Sequence, residues 1–130
     1  MTPLHITFPG SRGHTLSARL DQPAGPVRGY ALFAHCFTCS KDTIATRSIA
    51  GRLASLRFGV LRFDFTGLGS SEGNFASTHF TSNVEDLIRA ADYMRDHFEA
   101  PTVLIGHSLG GSAVLAAAHR IPEARAVATI

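Results

Sequence analysis

The chain has 130 residues, 45% of them hydrophobic and 17% charged, with a formal net charge of +2 at pH 7. That is enough for one domain with a sizeable core, and the scattered basic residues exclude the footprint of a nucleic-acid binder. No apolar run approaches a membrane span, and Met1-Thr2-Pro3-Leu4-His5 lacks the basic start and apolar stretch of a secretory signal, so a cytoplasmic protein is expected, with neither membrane nor nucleic acid among its partners.

In chain order, Ile6 and Phe8, then Leu16, Ala18 and Leu20, read as two short strands around the turn-rich Pro9-Gly10-Ser11-Arg12-Gly13. Asp21-Gln22-Pro23-Ala24-Gly25-Pro26 is a loop. Tyr30 to Ala34 is an unbroken apolar run, the pattern of a strand buried on both faces. A helix follows with Ser40 as its N-cap; Ala45, Ile49, Leu53 and Leu56 recur at helical spacing, and Gly59 marks its stop. Val60 to Phe65 is the next strand, ended by the glycine-rich Thr66-Gly67-Leu68-Gly69-Ser70-Ser71-Glu72-Gly73. A second helix opens with Ser82-Asn83-Val84-Glu85 as a capping box, carries Val84, Leu87, Ile88, Ala91 and Phe98 on one face, and exits at Pro101. Thr102 to Ile105 is a strand, Gly110 to His119 a helix, and Ala126 to Ile130 a last strand. This alternation after an N-terminal hairpin predicts an α/β domain with a mostly parallel sheet and helices on both faces.

Gly106-His107-Ser108-Leu109-Gly110-Gly111 lies between the last two predicted strands, directly behind Thr102–Ile105 and ahead of an alanine-rich helix. Gly-x-Ser-x-Gly in that position is a nucleophile elbow. A serine at the tip of a sharp strand-to-helix turn is forced into strained backbone angles, which push its Oγ out above the sheet. Gly106 and Gly110 must lack bulk or strand and helix collide, and Gly111 adds a further small residue at the crowded side. The helix aims its first N–H groups at the place where an oxyanion would form. His107 is a sequence neighbour on this turn and points elsewhere, so it is not read as the base.

Three features in order resemble the α/β-hydrolase superfamily: the strand ending in Ala34-His35-Cys36-Phe37, the Asp64-to-Ser71 loop, and the Gly106-to-Gly111 elbow. More narrowly, Phe33-Ala34-His35-Cys36-Phe37-Thr38-Cys39-Ser40-Lys41-Asp42 resembles the hydrolase half of proteins that fuse an α/β-hydrolase to an OsmC-like domain. The resemblance implies an α/β-hydrolase fold and a serine hydrolase acting on small acyl substrates such as carboxylic esters. Ser108 would be the nucleophile, with the oxyanion held by the backbone N–H groups of Phe37 and Leu109. Cys36 departs from the family pattern, standing where a glycine is usual. His35 would brace this loop, and Asp64, Gly67, Gly69 and Ser71 would shape the mouth of the site. No cofactor and no metal site is implied, the seven histidines being dispersed. A C-terminal OsmC-like domain in the full protein is implied.

The triad order in this fold is Ser, then an acid, then His. After Ser108 the candidates are His119 and Glu123, and no Asp follows. His119 lies about three helical turns on, roughly 16 Å away at about 1.5 Å per residue. Residues 1–130 are therefore read as a single incomplete α/β-hydrolase domain, running through the elbow and the following strand, with acid and histidine expected after residue 130. Two other readings stand beside this one. One is a truncated or non-catalytic hydrolase fold. The other is a thiol redox protein, since Cys36-Phe37-Thr38-Cys39 between a strand and a helix is also the redox position of thioredoxin-like proteins. A mixed expectation is that a Cys36–Cys39 disulfide reshapes the oxyanion loop and switches hydrolysis off, the OsmC-fused family being linked to peroxide handling.

Overall fold

A computed structural model of the chain describes residues 3–130. Strands β1 (Leu4–Pro9) and β2 (Thr15–Asp21) form the antiparallel hairpin, with Ile6 and Phe8 turned inward at the period of two expected for a half-buried strand. There follow β3 (Gly29–Ala34), α1 (Ile44–Ser55), β4 (Phe58–Phe63), α2 (Phe80–His97), β5 (Val103–Gly106), α3 (Leu109–Ala117) and β6 (Ala126–Thr129). The sheet order is β1-β2-β4-β3-β5-β6, and β4, β3, β5 and β6 run parallel. This is the predicted α/β arrangement.

Alternation along the central strands decides what packs where. Leu32, Leu61, Phe63 and Leu104 face a large core shared with Leu87 and Met94 of α2 and Val114 of α3. Ala31, Phe33, Val60 and Ile105 face the other way, against Ala50 of α1. Both faces of the inner strands are thus covered, which is why β3 reads as a continuous apolar run.

The helix ends differ from the sequence expectations, each for a local reason. Thr43, not Ser40, caps α1: its Oγ1 accepts from the Thr46 N–H, while Ser40 Oγ accepts from the Asp42 N–H in the preceding turn. The left-handed residue after α1 is Arg57 (φ 71°), not Gly59. Gly59 lies inside β4, where a Cβ would run into the Tyr30 ring. Helix α2 begins at Phe80, earlier than the expected capping box. Ser82 is in its first turn and its Oγ reaches back to the His79 N–H at 2.9 Å, while Glu85 pairs with Arg120 instead of capping.

β6 lies at the edge of the sheet, paired only with β5, and all four of its residues are exposed. Between it and α1 runs an open apolar groove of about 470 Å³, lined by Ile49, Leu53, Ile105, Ala128 and Ile130 among others. No helix of the described residues is long and apolar enough to cross a membrane.

Candidate active site

The C-terminal ends of three adjacent parallel strands, β4, β3 and β5, meet at one edge of the sheet, where ligands bind in open α/β folds. The end of β5 carries the elbow. Ser108 has φ 53° and ψ −109°, a positive φ that among the described non-glycine residues is shared only by Arg57. Such a conformation costs of order 1–3 kcal/mol and persists only where the surroundings enforce it. The enforcement is visible: the Ser108 N–H donates to the Ile130 carbonyl at 3.0 Å, and the Ser112 N–H returns to the Ser108 carbonyl at 3.0 Å as α3 begins. Both elbow glycines are sterically required. A Cβ on Gly106 would collide with the Gly110 carbonyl, and one on Gly110 with the Ala34 carbonyl of the neighbouring strand. Gly111 is less confined, with a Cβ there 3.3 Å from the Gly106 oxygen. Ser108 itself is exposed, as the expected outward Oγ requires.

The loop after β3 lies against the elbow. The His107 N–H donates to the Ala34 carbonyl at 3.0 Å and the Gly110 N–H to the His35 carbonyl at 3.1 Å. Within the loop the Cys39 N–H donates to the Cys36 carbonyl at 3.1 Å. The Phe37 and Leu109 N–H groups stand outside these bonds, Leu109 because the first donors of a helix have no intrahelical acceptor. The Phe37 ring is half exposed and packs on Phe75, with centroids 5.1 Å apart.

His35 is 1% exposed and braces the loop as expected. Its Nδ1 lies 2.6 Å from the Cys36 carbonyl and its Nε2 faces the Phe65 N–H at 3.4 Å. Those partners assign a neutral ring with the proton on Nδ1. Burial pushes the His35 pKa down, outweighing the carbonyl bond and the Asp64 charge, which push it up; Lys41 adds to the lowering.

Asp64 is fully buried and spoken for. It accepts from the Lys41 N–H and Nζ, both at 2.7 Å, and from the Ser70 N–H at 2.9 Å. Gly69 (φ 52°) closes over this carboxylate, leaving no space for a Cβ, and Ser71 Oγ donates to the Asp64 carbonyl at 2.6 Å. Arg62 continues the network from inside β4, donating Nε to Asp21 at 2.7 Å and Nη1 to the Lys41 carbonyl and to Asp42. Burial pushes the Asp42 carboxyl up, but Lys41 and Arg62 outweigh it and hold the pKa below the usual range. Neither Lys41 nor Arg62 is marked by any catalytic motif. A signal was there: two charged residues, Arg62 and Asp64, interrupt an otherwise apolar strand, and buried charges demand partners.

Glu123, one of two candidates after Ser108, is bound to Arg95 through two bonds of 2.7 Å, which hold its pKa down at about 2. Arg95 belongs to α2, so Glu123 serves the surface between α2 and the end of α3. His119 lies beyond the end of α3.

Cys36 and Cys39 form a disulfide with Cα atoms 5.0 Å apart. Helix α1 starts only at Ile44, so neither sulfur sits on a helix N-terminus as the thioredoxin-type reading requires. One ligand atom each from Cys36, Cys39 and His107 lie within 4.8 Å of one another.

A sheet of this order, with a strained serine on a glycine-walled strand-to-helix turn beside the loop of the neighbouring strand, defines an α/β hydrolase. A family model described as serine aminopeptidase, S33, matches residues 25–130, and the chain belongs to that family. Among solved structures, the esterase domain of a Rhodothermus marinus protein is 48% identical with a TM-score of 0.81 over 99% of this chain and 50% of that one. An α/β serine hydrolase without a lid from Xanthomonas campestris is 26% identical, with a TM-score of 0.84 over 99% and 61%. The mouse mitochondrial palmitoyl-protein thioesterase ABHD10 is 41% identical over 69 residues, 53% of this chain and 22% of that protein. The chain thus spans about half of its Rhodothermus relative, and its match to the mouse enzyme about a fifth of that protein.

Proposed function

We propose that the full-length protein is a serine hydrolase that cleaves small carboxylic esters through an acyl-enzyme on Ser108. The observation that carries this is the positive φ of Ser108 at a turn whose two glycines admit no side chain. A turn of that kind presents the serine hydroxyl to solvent. The N–H groups of Phe37 and Leu109 hold the oxyanion as the carbonyl becomes tetrahedral. The esterase name of the Rhodothermus relative supports an oxygen ester, and the thioesterase name of the mouse relative supports an acyl thioester as a second substrate of the same chemistry. The substrate is a small molecule, no cofactor takes part, and the protein works in the cytoplasm.

The general base and its acid come from residues after 130. Among the described residues Glu123 is held by Arg95, His35 is buried in its loop and His107 turns toward the cysteine sulfurs. The 130-residue stretch by itself is therefore expected to be inert, a bound oxyanion without a base giving rates several orders of magnitude lower. The resemblance of Phe33–Asp42 supports a C-terminal OsmC-like domain beyond it, which reading the gene past codon 130 tests directly.

Ser108→Ala in the full-length enzyme should lower kcat on a nitrophenyl ester by roughly three orders of magnitude or more, and a fluorophosphonate should label the wild type at Ser108 alone. Retained turnover in the variant would overturn the assignment. Failure of the full-length wild type to react with the probe would favour a non-catalytic hydrolase fold.

A further inference from the structure

We propose that Cys36, Cys39 and His107 form a zinc site when the Cys36–Cys39 disulfide is reduced. The three residues come from two loops that the sheet holds side by side. Cys36 and Cys39 lie on the loop after β3, and His107 follows β5, the strand paired with β3. The His107 N–H bond to Ala34 fixes the two loops against each other. The disulfide already joins the two sulfurs, and a His107 ring nitrogen lies within 4.8 Å of both. Tetrahedral zinc with Zn–S of about 2.3 Å and Zn–N of about 2.0–2.1 Å sets its ligands roughly 3.5–3.8 Å apart. Opening the disulfide lets the sulfurs separate to that distance by side-chain rotation, with no movement of the loops.

The donor set suits a soft-to-borderline ion: two thiolates and a neutral imidazole bind Zn²⁺ in preference to the hard cations, and the two thiolates balance its charge. Cys36 is buried, but Cys39 and His107 are only partly so, which leaves the ion a way in from solvent. Three protein ligands leave the fourth position to water.

The chemistry balances in two steps. A dithiol reductant gives two electrons and two protons to the Cys36–Cys39 bond and is itself oxidised to a disulfide. Zn²⁺ then displaces one proton from each thiol and takes the lone pair of His107. A peroxide closes the disulfide again: it takes two electrons from the two thiolates and two protons from solvent, leaves as water and an alcohol (or two waters), and the zinc ion is expelled. The site exists only in the reduced protein, the state that a cytoplasmic thiol pool maintains.

The test uses the full-length protein, reduced and then freed of reductant without air. Zn²⁺ is titrated against a chromophoric chelator, and Co²⁺ is used as a spectroscopic stand-in. One equivalent of zinc per chain is expected for the dithiol form and none for the disulfide form. Thiolate-to-cobalt charge transfer and tetrahedral d–d bands are expected, both lost in Cys39→Ser. His107→Ala should weaken zinc binding tenfold or more and change the cobalt spectrum. Equal zinc binding by the oxidised and reduced proteins, or none by either, would overturn the site, and an unchanged cobalt spectrum in His107→Ala would overturn the three-ligand set. These readouts need no turnover, so they stand or fall separately from the hydrolase proposal. If that proposal holds, zinc on this loop also freezes the Phe37 donor beside Ser108.

Discussion

At the scale of single residues, the site is held by side chains that have no solvent to answer to. His35 is the plainest case. It is almost wholly buried, keeps its proton on Nδ1 for the Cys36 carbonyl, and has its pKa pushed down chiefly by that burial. In the unfolded chain the ring titrates near 6.5, whereas in the folded protein it resists charging to lower pH. The unfolded state therefore binds the extra proton first, so stability is complete above about pH 6.5 and declines as pH falls through the lowered folded value. Thermal unfolding followed from pH 8 to pH 5 should show this decline, and His35→Gln should flatten it. Lys41 and Asp64 form a buried ion pair beside this ring. Each is nearly inaccessible; they lie 2.7 Å apart, Lys41 Nζ also reaches Asp42 at 3.0 Å, and Asp64 also accepts from the Ser70 N–H.

At the scale of elements, the decisive contact is between the start of α3 and the end of β3. Gly110 is the first-turn residue of α3 whose missing side chain lets the helix lean on the Ala34 and His35 carbonyls, and its N–H bonds the second of these. Gly110→Ala is expected to destabilise the fold by about 2–4 kcal/mol, because backbone atoms on both sides must move to admit one methyl group. Urea unfolding measures this. Gly111→Ala, where the nearest atoms stand at 3.3–3.5 Å, should cost under about 1 kcal/mol. A reversal of that order would mean the elbow is not packed as described. Distance from the elbow does not spare an element either: Arg62 in β4 ties the loop after β3 to β2 through Asp21, so that loop is supported by three strands.

At the scale of the whole molecule, the two faces of the sheet are unequally covered. One carries α2 and α3 over a continuous core, and the other carries α1 alone, leaving an apolar groove that runs onto β6. The open edge of β6 presents unpaired backbone beside Val127 and Ile130, both exposed. Such an edge templates pairing with another chain. The 130-residue chain in isolation should self-associate with rising concentration, and Val127→Lys should reduce this in light scattering. Equal scattering from both would show that the edge does not drive association.

The elements were legible because they rest on local patterns. Periods of two and of 3.6, an unbroken apolar run in β3 and three glycines around Ser108 are all properties of neighbouring residues, and they sufficed to predict the parallel sheet, the elbow and its strain. Helix starts were misplaced by a few residues because Ser40, Thr43 and Ser82 offer similar hydroxyls, and only the final turn geometry selects which one caps. What the sequence could not determine, beyond the N-terminal hairpin, was which strands pair across the sheet. Lys41 meets Asp64 only after β3 and β4 pair, and His107 reaches Cys36 and Cys39 only after β5 takes its place beside β3. Those distances are set by which strands become neighbours, a choice made by the burial of the whole core and written in no short stretch of the chain.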